Sequence, residues 1–357
     1  MSTRPRITFD SRGFCNACVW TETKSSMDWS PREEQLRSIL EKYQSKTGLF
    51  DCIVPVSGGK DGSYVSYQLK NKYGMNPLAV TVTPPLPTDI GKKNLENFIN
   101  SGYDHISVSI DPKAMQAMNK IGFIDKGFPY YGWLIAIHTA VINIAAKFNI
   151  GLIFYGEDGE MEYGGSSETA DSPVLTLEYI KRVWFEDPDY ERFLNNSALS
   201  PRERFFFEFP DEANSLDLSV VTWSYFENWD PYRNYLIAKN HCGLEEANDT
   251  NSGTFTNFAQ NDQALYALHT YLMYLKFGFG RANQDACIEI RRGAMDREQA
   301  KTLVTLYDGA FPFEFIDQYL EYFDLTRLEF DEVLDHWANT ELFIKQDGFW
   351  KPKFEIV

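Results

Sequence analysis

The clearest pattern along the chain begins near Phe50. There, short apolar runs alternate with longer stretches whose apolar residues recur every three or four positions. Residues 51–56 read as a buried strand, 61–72 as a helix and 78–83 as a second strand. Residues 88–101 read as a helix closed by Gly102. Strands at 105–110 and 151–155, with a long helix over 130–148 between them, continue the alternation. This is the pattern of an α/β fold, a parallel sheet with helices on both faces. Ligands of such sheets sit beyond the carboxyl ends of the strands. Two loops at those ends carry chemistry: Ser57-Gly58-Gly59-Lys60-Asp61-Gly62 after the first strand, and Gly156-Glu157-Asp158-Gly159 after the fourth.

Either side of this core the pattern differs. Residues 1–46 form a small segment that holds Cys15-Asn16-Ala17-Cys18 and then a helix. Ser30-Pro31-Arg32-Glu33 reads as its capping box. Residues 47–165 read as a nucleotide-binding domain. Residues 166–357 read as an irregular excursion, to about residue 218, followed by a helical substrate-binding region in which 266–277 and 297–307 are the clearest helices.

Composition narrows the function. The 357 residues are 43% hydrophobic and 15% aromatic, enough for a large core, so disorder is excluded. The net charge of −17 repels a phosphate backbone and an anionic membrane surface, so neither nucleic acid nor membrane is the expected partner. The N-terminus shows no apolar signal region, and the apolar stretch 133–146 is too short to span a bilayer and reads as a core helix. Five cysteines, an odd number, suit a reduced protein. The expected location is cytoplasmic.

A strand, a glycine-rich turn and a helix start make an anion site, because the first amides of a helix have no partner within it. Gly58 and Gly59 let phosphate oxygens approach, Ser57 offers a hydroxyl and Lys60 a cation. Asp61 can cap the helix or hold Mg²⁺. The loop is not a Walker A sequence. It resembles the pyrophosphate loop of the PP-loop ATP pyrophosphatases, with an adenine nucleotide alpha hydrolase-like fold. That resemblance implies ATP as cosubstrate, with AMP and pyrophosphate as products. The superfamily usually has Ser at the position of Gly62, so no hydroxyl contact comes from there; Ser63 follows directly, and both its substituting and its not substituting stay open.

A resemblance over nearly the whole chain is more specific. Arg4-Pro5-Arg6-Ile7-Thr8-Phe9-Asp10, Gly13-Phe14-Cys15-Asn16-Ala17-Cys18 and residues 51–61 resemble the N-acetyl sugar amidotransferases of lipopolysaccharide O-antigen and nonulosonic acid pathways. So do residues 274–282 and Glu289-Ile290-Arg291-Arg292-Gly293. The resemblance implies an ATP-dependent conversion of a sugar acetamido group to an acetamidino group. No glutaminase signature occurs in the chain. The resemblance therefore also implies a partner glutaminase and an ammonia-channel subunit like the pair used in histidine biosynthesis. The runner-up readings are a PP-loop tRNA-modifying thiolase and an ATP-binding module without turnover.

Other candidates follow. Glu157 and Asp158 are placed to hold Mg²⁺ or orient the nucleophile, or else form a solvated acidic turn. Lys276, Arg281, Arg291 and Arg292 form a cationic group suited to a nucleotide sugar or a sugar carboxylate, or else pair with Asp285 and Glu289. Cys15 and Cys18 are half of a zinc-ribbon pattern; tetrahedral Zn²⁺ needs four ligands. The family carries a second C-x-x-C just upstream of Arg4, which this sequence does not include. A redox role is disfavoured on the expectation that the pair does not open a helix. His138 and His269 read as satisfied core residues.

Overall fold

The computed structural model describes residues 2–196, 199–214 and 217–356. The chain opens with α1 (Asn16–Ser26) and α2 (Ser30–Tyr43). Then β1 (Cys52–Pro55) leads into α3 (Lys60–Asn71), β2 (Pro77–Val82) into α4 (Asp89–Asn100), and β3 (His105–Val108) into α5 (Pro112–Lys126) and α6 (Tyr131–Phe148). After β4 (Leu152–Tyr155) come α7 (Gly159–Tyr163) and the short turns α8 (Leu177–Tyr179), α9 (Glu191–Asn196) and α10 (Pro201–Arg204). β5 (Ser219–Thr222) is followed by α11 (Pro231–Cys242), α12 (Leu265–Phe277), α13 (Arg281–Arg291) and α14 (Arg297–Tyr307). α15 (Ile316–Phe323), α16 (Arg327–Trp337) and an antiparallel hairpin of β6 (Phe343–Gln346) and β7 (Phe349–Pro352) complete it.

β1 to β5 form one parallel sheet in the order β3-β2-β1-β4-β5. β1, β2 and β4 are buried on both faces, as strands covered on both sides require, whereas the edge strand β3 carries His105 and the exposed Ser107 on one face. Successive side chains point to opposite faces, so Ile53, Ile153 and Val220 join one core cluster while Val54, Phe154 and Val221 join the other. The first face is covered by α5 and α6, the second by α2, α3 and α4. The α/β fold expected from the sequence is thus the observed one. β1 and β4 are neighbours, and the chain leaves β1 toward β2 but β4 toward β5. The carboxyl ends of these two strands therefore flank the topological switch point, where open sheets bind ligands.

Several elements depart from the sequence reading. β5 lies just past the stretch read as irregular, at the start of the region read as helical, so the sheet draws a strand from beyond residue 165. α5 was not anticipated, although Asp111 accepts from the amides of Lys113 and Ala114 and Pro112 stands at the first helical position. Ser30 does not cap α2; Asp28 Oδ1 accepts the Ser30 amide at 3.0 Å. Cys15 is the N-cap residue of α1, so the C-x-x-C does open a helix. The apolar helix α6 is 18 residues long, and by length and hydropathy would also suit a membrane span. However, 67% of it is buried, and Ile135, Ala136 and Ile142 are fully enclosed in the core. His138 and His269 lie in aromatic surroundings, but the Nδ1 of each is shut off from solvent with no hydrogen-bond partner.

Candidate active site

The phosphate loop leaves the end of β1 and turns into α3. Gly58 has φ +81°, and a Cβ there would fall 2.3 Å from the Leu95 amide nitrogen, so only glycine lets the loop lie against α4. Gly59 is the N-cap of α3 and no side chain caps the helix, which leaves its first amides available to an anion. Ser57, Gly59, Lys60, Asp61 and Gly62 line a cavity of about 260 Å³. A Cβ at Gly62 would come 2.8 Å from the Pro55 carbonyl oxygen, which accounts for the small residue there. Ser63 is fully buried and outside this cavity, so its hydroxyl is not presented to it.

Two carboxylates face the loop. Lys60, 8% exposed, ion-pairs with Asp61 Oδ2, while Asp61 Oδ1 is buried without a partner. Glu157, from the end of β4, lines the same cavity and accepts from Trp229 Nε1 at 3.2 Å and from the Tyr163 hydroxyl. Burial raises the Glu157 pKa, the Asp61 charge raises it further, and Lys60 opposes both. One orphaned carboxylate oxygen and a second carboxylate beside a phosphate cradle fit Mg²⁺, which takes one or two carboxylates together with substrate phosphates. Asp158 is employed differently. Its Oδ1 accepts from the amides of Glu160 and Met161 and its Oδ2 from Thr169, so it caps α7 and does not line the cavity.

The far wall comes from the C-terminal half. Asp262, Tyr266 and Arg281 line the cavity with the loop. Asp262 Oδ2 is shut off from solvent with no partner. Burial pushes its carboxyl up to about 7, against hydrogen bonds that include those of Ser57 and Tyr266. The Asn261–Asp262 turn lies so close to α4 that a Cβ on Gly91 would meet the Asp262 Cα at 2.5 Å. Arg281 is held by Asp285 at 2.8 Å and lies within electrostatic reach of Glu157 and Tyr163. The other cations lie elsewhere. Lys276 Nζ donates to the Lys126 carbonyl at 2.8 Å and lines a separate hollow. Arg291 donates to the Glu162 carbonyl at 3.2 Å and lines a third with Arg292, which also pairs with Glu289 at 2.6 Å. The four cations do not form one site.

The Cys15 and Cys18 sulfurs are 3.5 Å apart. The contact between the two sulfurs lowers the Cys15 pKa to about 5 and raises that of Cys18. Among the described residues no group of three or more His, Cys, Asp or Glu side chains is placed to hold a metal ion. The pair therefore supplies two of the four ligands zinc requires, and no step is assigned to zinc.

Residues 252–355 match the family model described as LPS biosynthesis protein WbpG-like, C-terminal domain. That segment contains Asp262, Tyr266 and Arg281. An uncharacterized protein of Methanocaldococcus jannaschii is 29% identical over 98 residues, 28% of this chain and 34% of that protein. The chain thus matches about a third of the length of this curated relative. Among solved structures, a predicted subunit of tRNA methyltransferase from Methanocaldococcus jannaschii is similar at 16% identity. The likeness covers 63% of this chain and 87% of that one, with a TM-score of 0.31. The U34-tRNA thiolase NcsA of Methanococcus maripaludis, solved with its 4Fe-4S cluster, is similar at 11% identity. That likeness covers 83% and 82% of the two chains, with a TM-score of 0.35.

Asp262 and Tyr266 escaped the sequence reading. The available signal was the polar run Asn261-Asp262-Gln263 set directly before the apolar helix α12, where a helix start already collects polar residues.

Proposed function

We propose that the chain is an ATP-dependent amidotransferase of the PP-loop type that converts the acetamido group of a sugar, free or nucleotide-activated, to an acetamidino group in bacterial surface polysaccharide biosynthesis. The observation that carries the reading is the joint construction of one cleft. A glycine loop suited to cradling phosphate forms one wall, and residues of the segment matching the WbpG-like lipopolysaccharide domain, Asp262, Tyr266 and Arg281 among them, form the other.

In this reading the triphosphate of ATP lies on the loop amides, Ser57 and Lys60. The acetamido oxygen attacks the α-phosphorus, an O–P bond forms, and pyrophosphate leaves into the field of Lys60 and Arg281. Ammonia then attacks the activated carbon, a C–N bond forms, and AMP leaves with the former acetamido oxygen. The attacking nitrogen sheds a proton, and Asp262 Oδ2, which has no partner of its own, accepts it. Asp61 and Glu157 would hold Mg²⁺, whose contribution is to neutralise phosphate charge. The protein contributes positioning and charge stabilisation rather than covalent chemistry.

Ammonia is scarce near neutral pH and water competes for the activated carbon, so an enclosed delivery route is needed. A separate glutaminase with an ammonia-channel subunit, like the histidine-biosynthesis pair, fills that role. The test supplies the isolated chain with ATP, an acetamido sugar and either ammonium or glutamine. Amidine with ammonium alone is expected; efficient amidine formation from glutamine without added protein would reject the borrowed glutaminase.

A further inference from the structure

We infer that a second hollow, about one helical turn from the phosphate-loop cleft, holds an anionic group of the acceptor sugar. The inference rests on the amidotransferase reading and adds the part of the substrate that reading leaves open. The hollow has a volume of about 130 Å³ and is lined by Arg4, Arg6, Glu160, His269, Lys276 and Phe279 among others. Two stretches of sequence without a role in the cleft, 4–10 and 274–279, meet here.

The charges balance in favour of an anion. Arg4 and Arg6 share Glu160, at 3.4 and 2.7 Å, and Arg6 lies 3.7 Å from the exposed Glu186. Lys276 adds a third cation to these two carboxylates, in a chain whose net charge is −17. Lys276 Nζ makes one hydrogen bond of its three, so it has donors left for an anion, while Arg4 Nε and His269 Nδ1 lack partners but are shut off from solvent. Carboxylate or phosphate oxygens satisfy ammonium and guanidinium donors with charge-assisted bonds. Burial and the neighbouring Lys276 keep His269 neutral, with its pKa lowered to about 3, so it serves as a hydrogen-bonding group rather than a charge.

The position suits a bifunctional acceptor. Tyr266 faces the cleft and His269 the hollow, three residues apart on α12, which sets their Cβ atoms about 5–6 Å apart. The Tyr130 ring lies 5.0 Å from both. Arg281 in the cleft and Phe279 in the hollow are two residues apart, and Glu157 and Glu160 are three apart across one short turn. Arg4 also lies 5.8 Å over the Tyr163 ring, whose hydroxyl binds Glu157. The hollow and the cleft are thus separate cavities set about the width of one sugar ring apart, with the buried Tyr130 and Tyr163 between them, and an acceptor with its anion among Arg4, Arg6 and Lys276 has to cross that wall for its acetamido group to reach the loop. The anion is either a carboxylate on the sugar or the diphosphate of a nucleotide carrier.

The test is calorimetric binding to the full chain saturated with a non-hydrolysable ATP analogue, so that the loop is closed to diphosphates. The probes are N-acetylneuraminate, UDP-N-acetylglucosamine and neutral N-acetylglucosamine. At least one anionic probe should bind roughly tenfold or more tighter than the neutral one. That advantage should be lost in Lys276→Gln and in Arg6→Gln, with affinity for the ATP analogue unchanged. Arg6 is exposed, so its variant keeps the test decisive if Lys276→Gln fails to fold. Preference for the carboxylate assigns an acidic sugar, and preference for the diphosphate a nucleotide-linked one. Equal binding of all three probes, or an advantage that survives in a folded variant, would overturn the inference. No turnover is read, so failure of the amidotransferase reading would leave this result standing.

Discussion

Replacing Lys60 with Ala separates the two roles of this side chain. It is 8% exposed and neutralises Asp61, and its charge also holds down the Glu157 pKa. In the proposed reaction its ammonium meets the phosphate oxygens that gain charge as pyrophosphate leaves. Losing one preorganised charged donor in a site of this burial costs about 3–4 kcal/mol of transition-state stabilisation, or about 10²–10³-fold in rate. The cost to folding is smaller. Asp61 is 29% exposed, so water screens part of the unpaired charge, and a loss of about 1–2 kcal/mol is expected, between the surface and buried limits. Adding Asp61→Asn should restore the stability without restoring the rate, because the second substitution removes the stranded carboxylate but supplies no cation. The assay is pyrophosphate release with ammonium and acceptor, beside denaturant unfolding of each variant. Release by Lys60→Ala at the wild-type rate would refute the assignment of the loop.

Three further expectations follow from individual residues. The folded-state pKa of Asp262, about 7, is raised above its unfolded value, so its contribution to stability is present at low pH and lost as pH rises from about 4 through 7; Asp262→Asn should flatten unfolding free energy over that window while slowing amidine formation, and an unchanged pH profile would contradict the burial argument. Gly58→Ala combines a left-handed backbone with a Cβ 2.3 Å from the Leu95 amide nitrogen, so calorimetry should show lost ATP affinity together with a lower melting temperature; wild-type values for both would show that the loop does not need glycine. Cys15 and Cys18 alone should bind zinc substoichiometrically, with metal content rising when a second dithiol is supplied upstream; full zinc by elemental analysis of the present chain would show that other ligands complete the set.

The sheet and the glycine turn into α3 were legible because their signals are local. A buried apolar run, a glycine turn and a helix start are adjacent in sequence, and each constrains the next. β5 was not, because Ser219–Thr222 is four residues long and stands between charged and aromatic stretches that give it no period of its own. The start of α1 was missed for a related reason: its N-cap is Cys15, which makes no side-chain cap hydrogen bond and carries no capping signature. Glu157 and Asp158 show where adjacency misleads. Both follow β4, but one carboxylate lines the cleft and the next is consumed in capping α7. Asp262 lies about 200 residues from the loop it faces, and the packing of its turn against Gly91 and its backbone hydrogen bonds to residues 86–88 bring them together. The cations of the C-terminal region illustrate the converse: Lys276, Arg281 and Arg291 are close in sequence but line three different hollows.

The central claim is that the acetamido oxygen is activated by transfer to AMP and replaced by nitrogen. The most direct measurement labels that oxygen with oxygen-18 and follows both products by mass spectrometry after incubation with ATP and ammonium. The account predicts a sugar lighter by the difference between oxygen and NH, one AMP and one pyrophosphate per amidine, and the heavy oxygen recovered in AMP. Heavy oxygen retained in the sugar while ATP is consumed, or recovered in pyrophosphate, would contradict it.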